Sequence, residues 1–246
     1  MSDQKVVLIT GASGSIGAAT STLLASQGYI VFAHYNKNRE IAEKIVNEIN
    51  YSGGRSYVVQ ANLLDEKQIV NLFVSIQKIC GLPISALVNN AGINGGTKTI
   101  DKIDFYTLET VFNLNVFGTI LCCREVIKQM KIHGGGNIVN VSSQAAIFGG
   151  NQLSHYAASK AAINAFTIGS ARELAIHNIR MNAVSPGIID TPMHDEMPEE
   201  KKKNIKQSLP MGRMGTPLEV ADAIAWLLSE KSSYVNGAII PITGAR

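Results

Sequence analysis

The sequence predicts a single α/β domain spanning residues 1–246, built on a doubly wound, seven-stranded parallel sheet flanked by helices. Three observations carry that prediction. Short β-branched runs with no polar face recur along the chain and alternate with longer amphipathic stretches. The first of these runs passes through a glycine-rich turn directly into a helix-like stretch. No linker, internal repeat, low-complexity segment or break in composition divides the 246 residues.

The elements follow in order. Residues 5–10 form the first strand, and GASGSIG (Gly11, Ala12, Ser13, Gly14, Ser15, Ile16, Gly17) forms the turn. The next stretch is helical and stops at Gly28, and residues 30–33 make the second strand. Strand, glycine turn, helix and strand within about 30 residues is the unit that holds a dinucleotide. The glycines allow a tight turn and close approach to a pyrophosphate, and the helix start offers its amides and positive dipole end. After the second strand the chain reads His34-Tyr35-Asn36-Lys37-Asn38-Arg39, with no acid before Glu40. A carboxylate there would favour NAD(H) by binding ribose hydroxyls. Lys37 and Arg39 instead suit a 2′-phosphate, so NADP(H) is preferred and NAD(H) is the alternative.

Ile41, Ile45 and Ile49 place a helix over 39–51, which Gly53 and Gly54 end. Residues 56–61 are the third strand, followed by Asn62 and Leu63. A helix over 65–79 carries Ile69, Leu72, Phe73 and Ile76 on one face. Residues 85–88 are the fourth strand and end in Asn89-Asn90-Ala91-Gly92, a sequence suited to a ligand crevice at a strand's carboxyl end. A long helix over 104–132 contains Asn115, whose amide needs partners in so apolar a stretch. Residues 137–141 are the fifth strand and lead to Ser143. A helix over 155–176 carries Tyr156 and Lys160. Residues 180–184 are the sixth strand, running into Ser185-Pro186-Gly187. The methionine- and proline-containing stretch 188–214 reads as a substrate lid with one short helix. A helix over 217–229 and a strand over 238–242 complete the chain.

Tyr156 and Lys160 are four apart, which on a helix stacks them on one face. An ammonium beside a phenol lowers its pKa and lets it exchange protons nearer neutrality. Ser143 is placed to hold a carbonyl or alcohol oxygen beside that tyrosine.

Other classes have less support. The net charge of +3 is spread along the chain, and the one basic run, 201–203, follows Glu199 and Glu200, so nucleic acid is not the expected partner. Three cysteines (Cys80, Cys122, Cys123) without framework spacing suit reduced thiols in a cytoplasmic protein. No apolar run is read as approaching the roughly 18 residues of a membrane span, and the chain enters a strand without a signal peptide. No His, Cys or Asp cluster has metal-ligand spacing, so no metal site is expected.

With these pieces placed, the chain resembles the short-chain dehydrogenase/reductase family over its whole length. Its likeness is greatest to the short branch that includes bacterial 3-oxoacyl-acyl-carrier-protein reductases. The matching residues are the 11–17 loop, Asn89 to Gly92, Asn115, Ser143, Tyr156 with Lys160, 182–187, 212–217 and 233–237. The resemblance implies a Rossmann fold and a carbonyl or alcohol substrate. It implies Tyr156 as general acid or base, Lys160 lowering its pKa and holding the nicotinamide ribose, and Ser143 holding the substrate oxygen. Asn115 would fix a water that relays protons through Lys160. It assigns the cofactor groove to the 11–17 loop, Tyr35, Asn36, Lys37, Arg39, Asn62, Leu63, Asn90, Ala91, Gly92, Tyr156, Lys160, Pro186 and Gly187, with Ile189 and Thr191 at the nicotinamide carboxamide. It also implies a homotetramer, with which the apolar Phe112, Val116, Phe117, Ile120 and Leu121 are compatible. The chain departs from the family pattern in three places. Ser15 replaces the middle glycine of the loop, and Asn62 replaces an Asp near the adenine. Lys131, His133 and His177 stand where carrier-protein reductases tend to show arginines, which weakens the case for an acyl-carrier partner. A sugar or polyol dehydrogenase is the alternative enzyme, suited by Asp190, Asp195 and Glu196. A non-catalytic NADP-binding sensor or scaffold is the alternative from another class.

Overall fold

The computed structural model describes residues 4–191 and 199–245. Seven strands form one sheet: β1 (Val6–Ile9), β2 (Ile30–Tyr35), β3 (Arg55–Gln60), β4 (Ile84–Asn89), β5 (Gly136–Val141), β6 (Ile179–Pro186) and β7 (Ile239–Ile242). Their order is β3-β2-β1-β4-β5-β6-β7, and every neighbouring pair is parallel. This is the doubly wound α/β arrangement that the alternating runs predict. The order reverses between β1 and β4, so the loops leaving their carboxyl ends part and open a crevice between them.

The helices are α1 (Ser15–Ser26), α2 (Arg39–Tyr51), α3 (Glu66–Cys80), α4 (Phe105–Phe112), α5 (Thr119–Ile132), α6 (Ala145–Phe148), α7 (Ser154–Leu174), α8 (Glu199–Ser208) and α9 (Pro217–Leu228). They cover both faces of the sheet. Val6 and Leu8 of β1 join a core shared with α3, α5 and α7, whereas Val7 and Ile9 join one shared with α1, α2 and α9. Successive side chains on a strand point to opposite faces, so a strand buried on both has no polar position to show.

Three details differ from expectation. The second strand runs past residue 33 to Tyr35, because His34 and Tyr35 pair with Val59 and Gln60 and are themselves buried. In α2 the buried stripe is Ala42, Ile45, Val46 and Ile49, and Ile41 is exposed. The helix over 104–132 is interrupted by a π-helical turn, Asn113–Gly118, with Asn115 inside it. Such turns widen the ladder locally and are frequent at functional sites.

The stretch Phe105–Ile132 is also long and apolar enough by composition to cross a membrane, with a mean hydropathy of 1.3, contrary to the reading that no run approached that length. Half of that window is buried in the fold, with Cys122, Cys123, Val126 and Met130 in the core. Its apolarity is thus used in packing against the sheet. Within 188–214, Ile189 bridges Gly215 and α8 supplies the expected short helix. The rest of the expected lid, 192–198, which includes Asp195 and Glu196, lies outside the described residues.

Candidate active site

The floor of the crevice is the glycine turn after β1. Gly11 sits at φ +64° against Ala91, where an added Cβ would lie 2.8 Å from the Ala91 Cα. Asn90 Nδ2 donates to the carbonyls of Thr10 (3.0 Å) and Gly11 (2.9 Å), so the loop after β4 holds the loop after β1. Gly17 packs under the turn: a Cβ there would lie 2.5 Å from the Gly11 oxygen and 2.8 Å from Asn90 Nδ2. Gly14 has more room, at 3.4 Å from the Gly11 oxygen. His34 supports the same turn from the side. Its Nδ1 accepts from the Gly11 N–H at 3.1 Å, which leaves the ring proton on Nε2 to meet the Ala61 carbonyl at 3.0 Å. Burial pushes His34 down to about 4, so its ring is neutral at physiological pH.

A groove of about 760 Å³ runs over this floor. It is lined by Gly11, Ser13, Gly14, Ser15 and Ile16 below, by Asn36, Lys37, Asn62 and Leu63 at one end, and by Asn90, Ala91, Gly92 and Thr191 along its length. Helix α1 opens onto it without a side-chain cap and without an acid in its first turn, unlike α3, α4 and α9, which Asp65, Asp104 and Thr216 cap. An uncapped helix start with free amides fits a diphosphate. The residues present therefore fit a dinucleotide.

Other expected residues stand elsewhere. Arg39 is not in the lining; its Nε binds Glu43 Oε1 at 2.8 Å one turn along α2. Gly17 is structural, as the contacts above show. Tyr35 is buried. The Pro186 carbonyl accepts from the Gln144 N–H, the Gly187 N–H donates to the Ile242 carbonyl, and Ile189 belongs to the core. The Asn62 side chain accepts from its own Leu64 N–H at 3.1 Å. Sequence reasoning missed His34, Ile93, Tyr106, Thr110 and Leu114 in the lining. A polar residue ending a buried strand marked His34. The last three reach the groove from α4 and the π turn, which no local signal announces.

Ser143, Tyr156, Lys160 and Asn115 are not in that lining; Asn115 and Lys160 stand behind it at Gly92. The β5–β6 pairing continues past the strands, with the Ser142 N–H donating to Val184 and the Gln144 N–H to Pro186. That extension fixes Ser143 beside α7. Lys160 is almost fully buried, and its Nζ donates to the Val141 carbonyl at 2.7 Å. Burial lowers Lys160 to about 8. The ammonium is 5.8 Å from the centre of the Tyr156 ring. Sequence reasoning expected that ammonium to lower the phenol. Instead burial raises Tyr156 above its usual value, with a hydrogen bond from Ser143 acting the other way. The physical reason is that the half-buried phenol loses solvation, and burial outweighs the bond from Ser143. Asn115 is fully satisfied: Oδ1 accepts from the Ile93 N–H at 2.9 Å, and Nδ2 donates to the Ile93 carbonyl at 2.8 Å and to Ser159 Oγ at 3.0 Å. A Cβ on Gly92 would lie 3.1 Å from Asn115 Oδ1 and 3.4 Å from Lys160 Nζ, so these two meet the groove at one glycine of its lining.

A second cavity, about 880 Å³, opens at the amino-terminal ends of the strands, between Tyr29, Ser85, Asn137 and Arg180. Three of its polar side chains are bonded to main-chain carbonyls. Arg180 binds the carbonyls of Ser229 and Val235, Asn137 Nδ2 binds that of Leu228, and Tyr29 donates to the same Leu228 oxygen.

Comparison with known proteins agrees with this geometry. The family model described as enoyl-(acyl carrier protein) reductase matches residues 11–244. An uncharacterized oxidoreductase of Escherichia coli, YgfF, is 42% identical over 246 residues, covering 98% of this chain and 99% of its own. The 3-oxoacyl-[acyl-carrier-protein] reductase FabG of Thermotoga maritima is 38% identical over 240 residues, covering 98% and 96%. An uncharacterized oxidoreductase of Bacillus subtilis, YmfI, is 36% identical over 241 residues, covering 98% of both chains. With a doubly wound sheet, a glycine-floored groove at its switch point and matches over nearly its whole length, the chain belongs to the short-chain dehydrogenase/reductase family and is an oxidoreductase.

Proposed function

We propose that this oxidoreductase interconverts a carbonyl and a secondary alcohol with NADP(H), and that its substrates are 3-oxoacyl thioesters. The observation that carries the reading is the meeting of Lys160 and Asn115 at Gly92 of the groove lining, with Tyr156 beside Lys160 and Ser143 bonded to Tyr156. The nicotinamide group, when bound, supplies or receives the hydride. The chain orients the substrate and moves the proton. In reduction the Tyr156 hydroxyl donates its proton to the carbonyl oxygen, and in oxidation the phenolate takes it back. The Ser143 hydroxyl, already hydrogen-bonded to Tyr156, steadies the same oxygen. A phenol raised by burial holds its proton at neutral pH, which suits the reductive direction. Lys160 resupplies Tyr156, and Asn115 at the π turn holds the relay beside it.

Lys37, which lines the groove, supports the preference for a 2′-phosphate more strongly than Arg39, which Glu43 neutralises. The thioester class rests on the FabG relatives. An acyl-carrier partner has less support, because Lys131, His133 and His177 replace the expected arginines. We place the protein in the cytoplasm as a homotetramer. Phe117 of the π turn is 55% exposed and supports an interface there, whereas Val116 is buried within the chain. A sedimentation run showing only monomer would overturn the tetramer.

The test is NADPH and NADH oxidation, in parallel, with acetoacetyl thioesters and a broad carbonyl panel. Turnover with NADPH on the thioesters is expected. No oxidation with any carbonyl would overturn the reading, and cofactor binding without turnover would favour a sensor. Lys37→Ala is expected to cut the preference for NADPH over NADH about tenfold, the value of one charge-assisted contact, and Arg39→Ala to change it less.

A further inference from the structure

Residues 93–98 leave the groove at Gly92 without regular secondary structure, yet they are pinned at Ile93, Asn94 and Lys98. Asn115 takes both main-chain groups of Ile93. His155 Nε2 meets the Asn94 carbonyl at 2.8 Å. The Lys98 N–H donates to the Gln152 carbonyl at 2.8 Å. Lys98 Nζ binds Asp104 Oδ2 at 2.6 Å and Thr107 Oγ1 at 2.5 Å. The segment is thus tied to the start of α7, to the π turn and to the start of α4.

His155 is the central tie. It precedes Tyr156 in the first turn of α7 and is 3% exposed. A carbonyl only accepts, so Nε2 must carry the ring proton. Among the described residues the buried Nδ1 has no partner, so this one bond is the ring's polar function there. The ring also fills the space beside Gly95, which sits at φ +73°. A Cβ on Gly95 would lie 2.5 Å from Val111 Cγ2 and 3.1 Å from His155 Nε2. Leaving a buried donor unbonded on Nδ1 as well would be costly, which holds the ring in this one tautomer.

We propose that His155 is a positioning residue: through Asn94 it couples the 93–98 wall to the helix turn bearing Tyr156, so that the substrate carbonyl meets the phenol in register. This rests on the catalytic reading given above. His155 touches neither substrate nor cofactor in this scheme. Its effect passes through the wall, on the substrate side of Gly92, and leaves the glycine-turn end of the groove alone.

The test compares His155→Ala, His155→Gln and Tyr156→Phe with the wild type. Gln offers an amide donor at a reach similar to Nε2, whereas Ala removes the bond and the packing. His155→Ala is expected to lower kcat/KM for the carbonyl substrate about 10- to 100-fold, with NADPH affinity by fluorescence within about twofold of wild type. His155→Gln is expected to recover most of that loss, and amide exchange across 93–98 is expected to rise in the Ala variant only. Unchanged kinetics and exchange in His155→Ala would overturn the proposal. So would a Gln variant as impaired as the Ala variant, which would indicate packing alone. If the wild type turns over no carbonyl, the catalytic reading fails instead, and the exchange comparison still decides whether His155 holds the wall.

Discussion

The sheet has a cavity at each end, and the larger one is at the end without the site. At the amino ends of the strands, Arg180, Asn137 and Tyr29 line about 880 Å³ and bond to the carbonyls of Leu228, Ser229 and Val235. Those bonds fasten the turn after α9 to the sheet. At the carboxyl ends, the smaller groove has an uncapped helix start and a floor of close-packed glycines, and Gly92 of its lining backs onto an ammonium buried beside a phenol. Volume does not distinguish the two. What distinguishes them is whether polar groups are already satisfied by the chain or left facing the space.

The sharpest way to break this comparison is one substitution at each end. Tyr156→Phe is expected to lower kcat about 1,000-fold while leaving NADPH affinity near wild type, as loss of a general acid does. Arg180→Ala is expected to leave kcat within about twofold and to lower stability by about 1 kcal/mol, from the loss of two part-buried hydrogen bonds whose carbonyls keep other donors. Steady-state kinetics and urea unfolding on both variants decide it; a catalytic loss in Arg180→Ala would mean that the amino-end cavity communicates with the chemistry.

The next effect concerns Lys160. Its folded value, about 8, lies below the ordinary 10.5, so the unfolded chain holds the proton more tightly. By linkage, the cost of burying this charge is fully present below pH 8 and fades as pH rises from 8 towards 10.5. Lys160→Met removes the cost. The variant's stability relative to wild type is therefore expected to be most favourable near neutrality and to fall by about 3 kcal/mol by pH 10.5. A pH-independent difference in denaturant midpoints would show that Lys160 is not so desolvated.

A smaller effect separates two glycines of one loop. Gly17→Ala drives a Cβ into the Gly11 oxygen and the Asn90 amide, whereas Gly14→Ala meets only ordinary contact. Cofactor affinity, read by fluorescence titration, is expected to fall at least about tenfold in the first and about twofold in the second, since displacing the turn disturbs the amides proposed to hold the phosphates. Equal losses would place the sensitivity in loop flexibility instead.

Much of this protein was legible in its sequence because the signals are local. Strands buried on both faces must be apolar throughout, so the runs beginning near Val6, Ile30 and Ile138 announce themselves, and the glycine turn followed by a helix marks the groove floor. The spacing of Tyr156 and Lys160 on α7 was equally plain. Tertiary structure decided what depends on meetings between distant residues. It bonded Lys160 to Val141 and buried the Tyr156 phenol, whose proton burial holds more tightly, and it took Arg39 out of the groove and left Lys37 in it. It placed Asn115 in a π turn against Ile93, brought Tyr106 and Thr110 across from α4, and set His155 under Asn94. Pattern fixes which face of an element is buried. Which polar group meets which is settled only when the elements pack, because hydrogen bonds are short and directional and sequence separation carries no information about them.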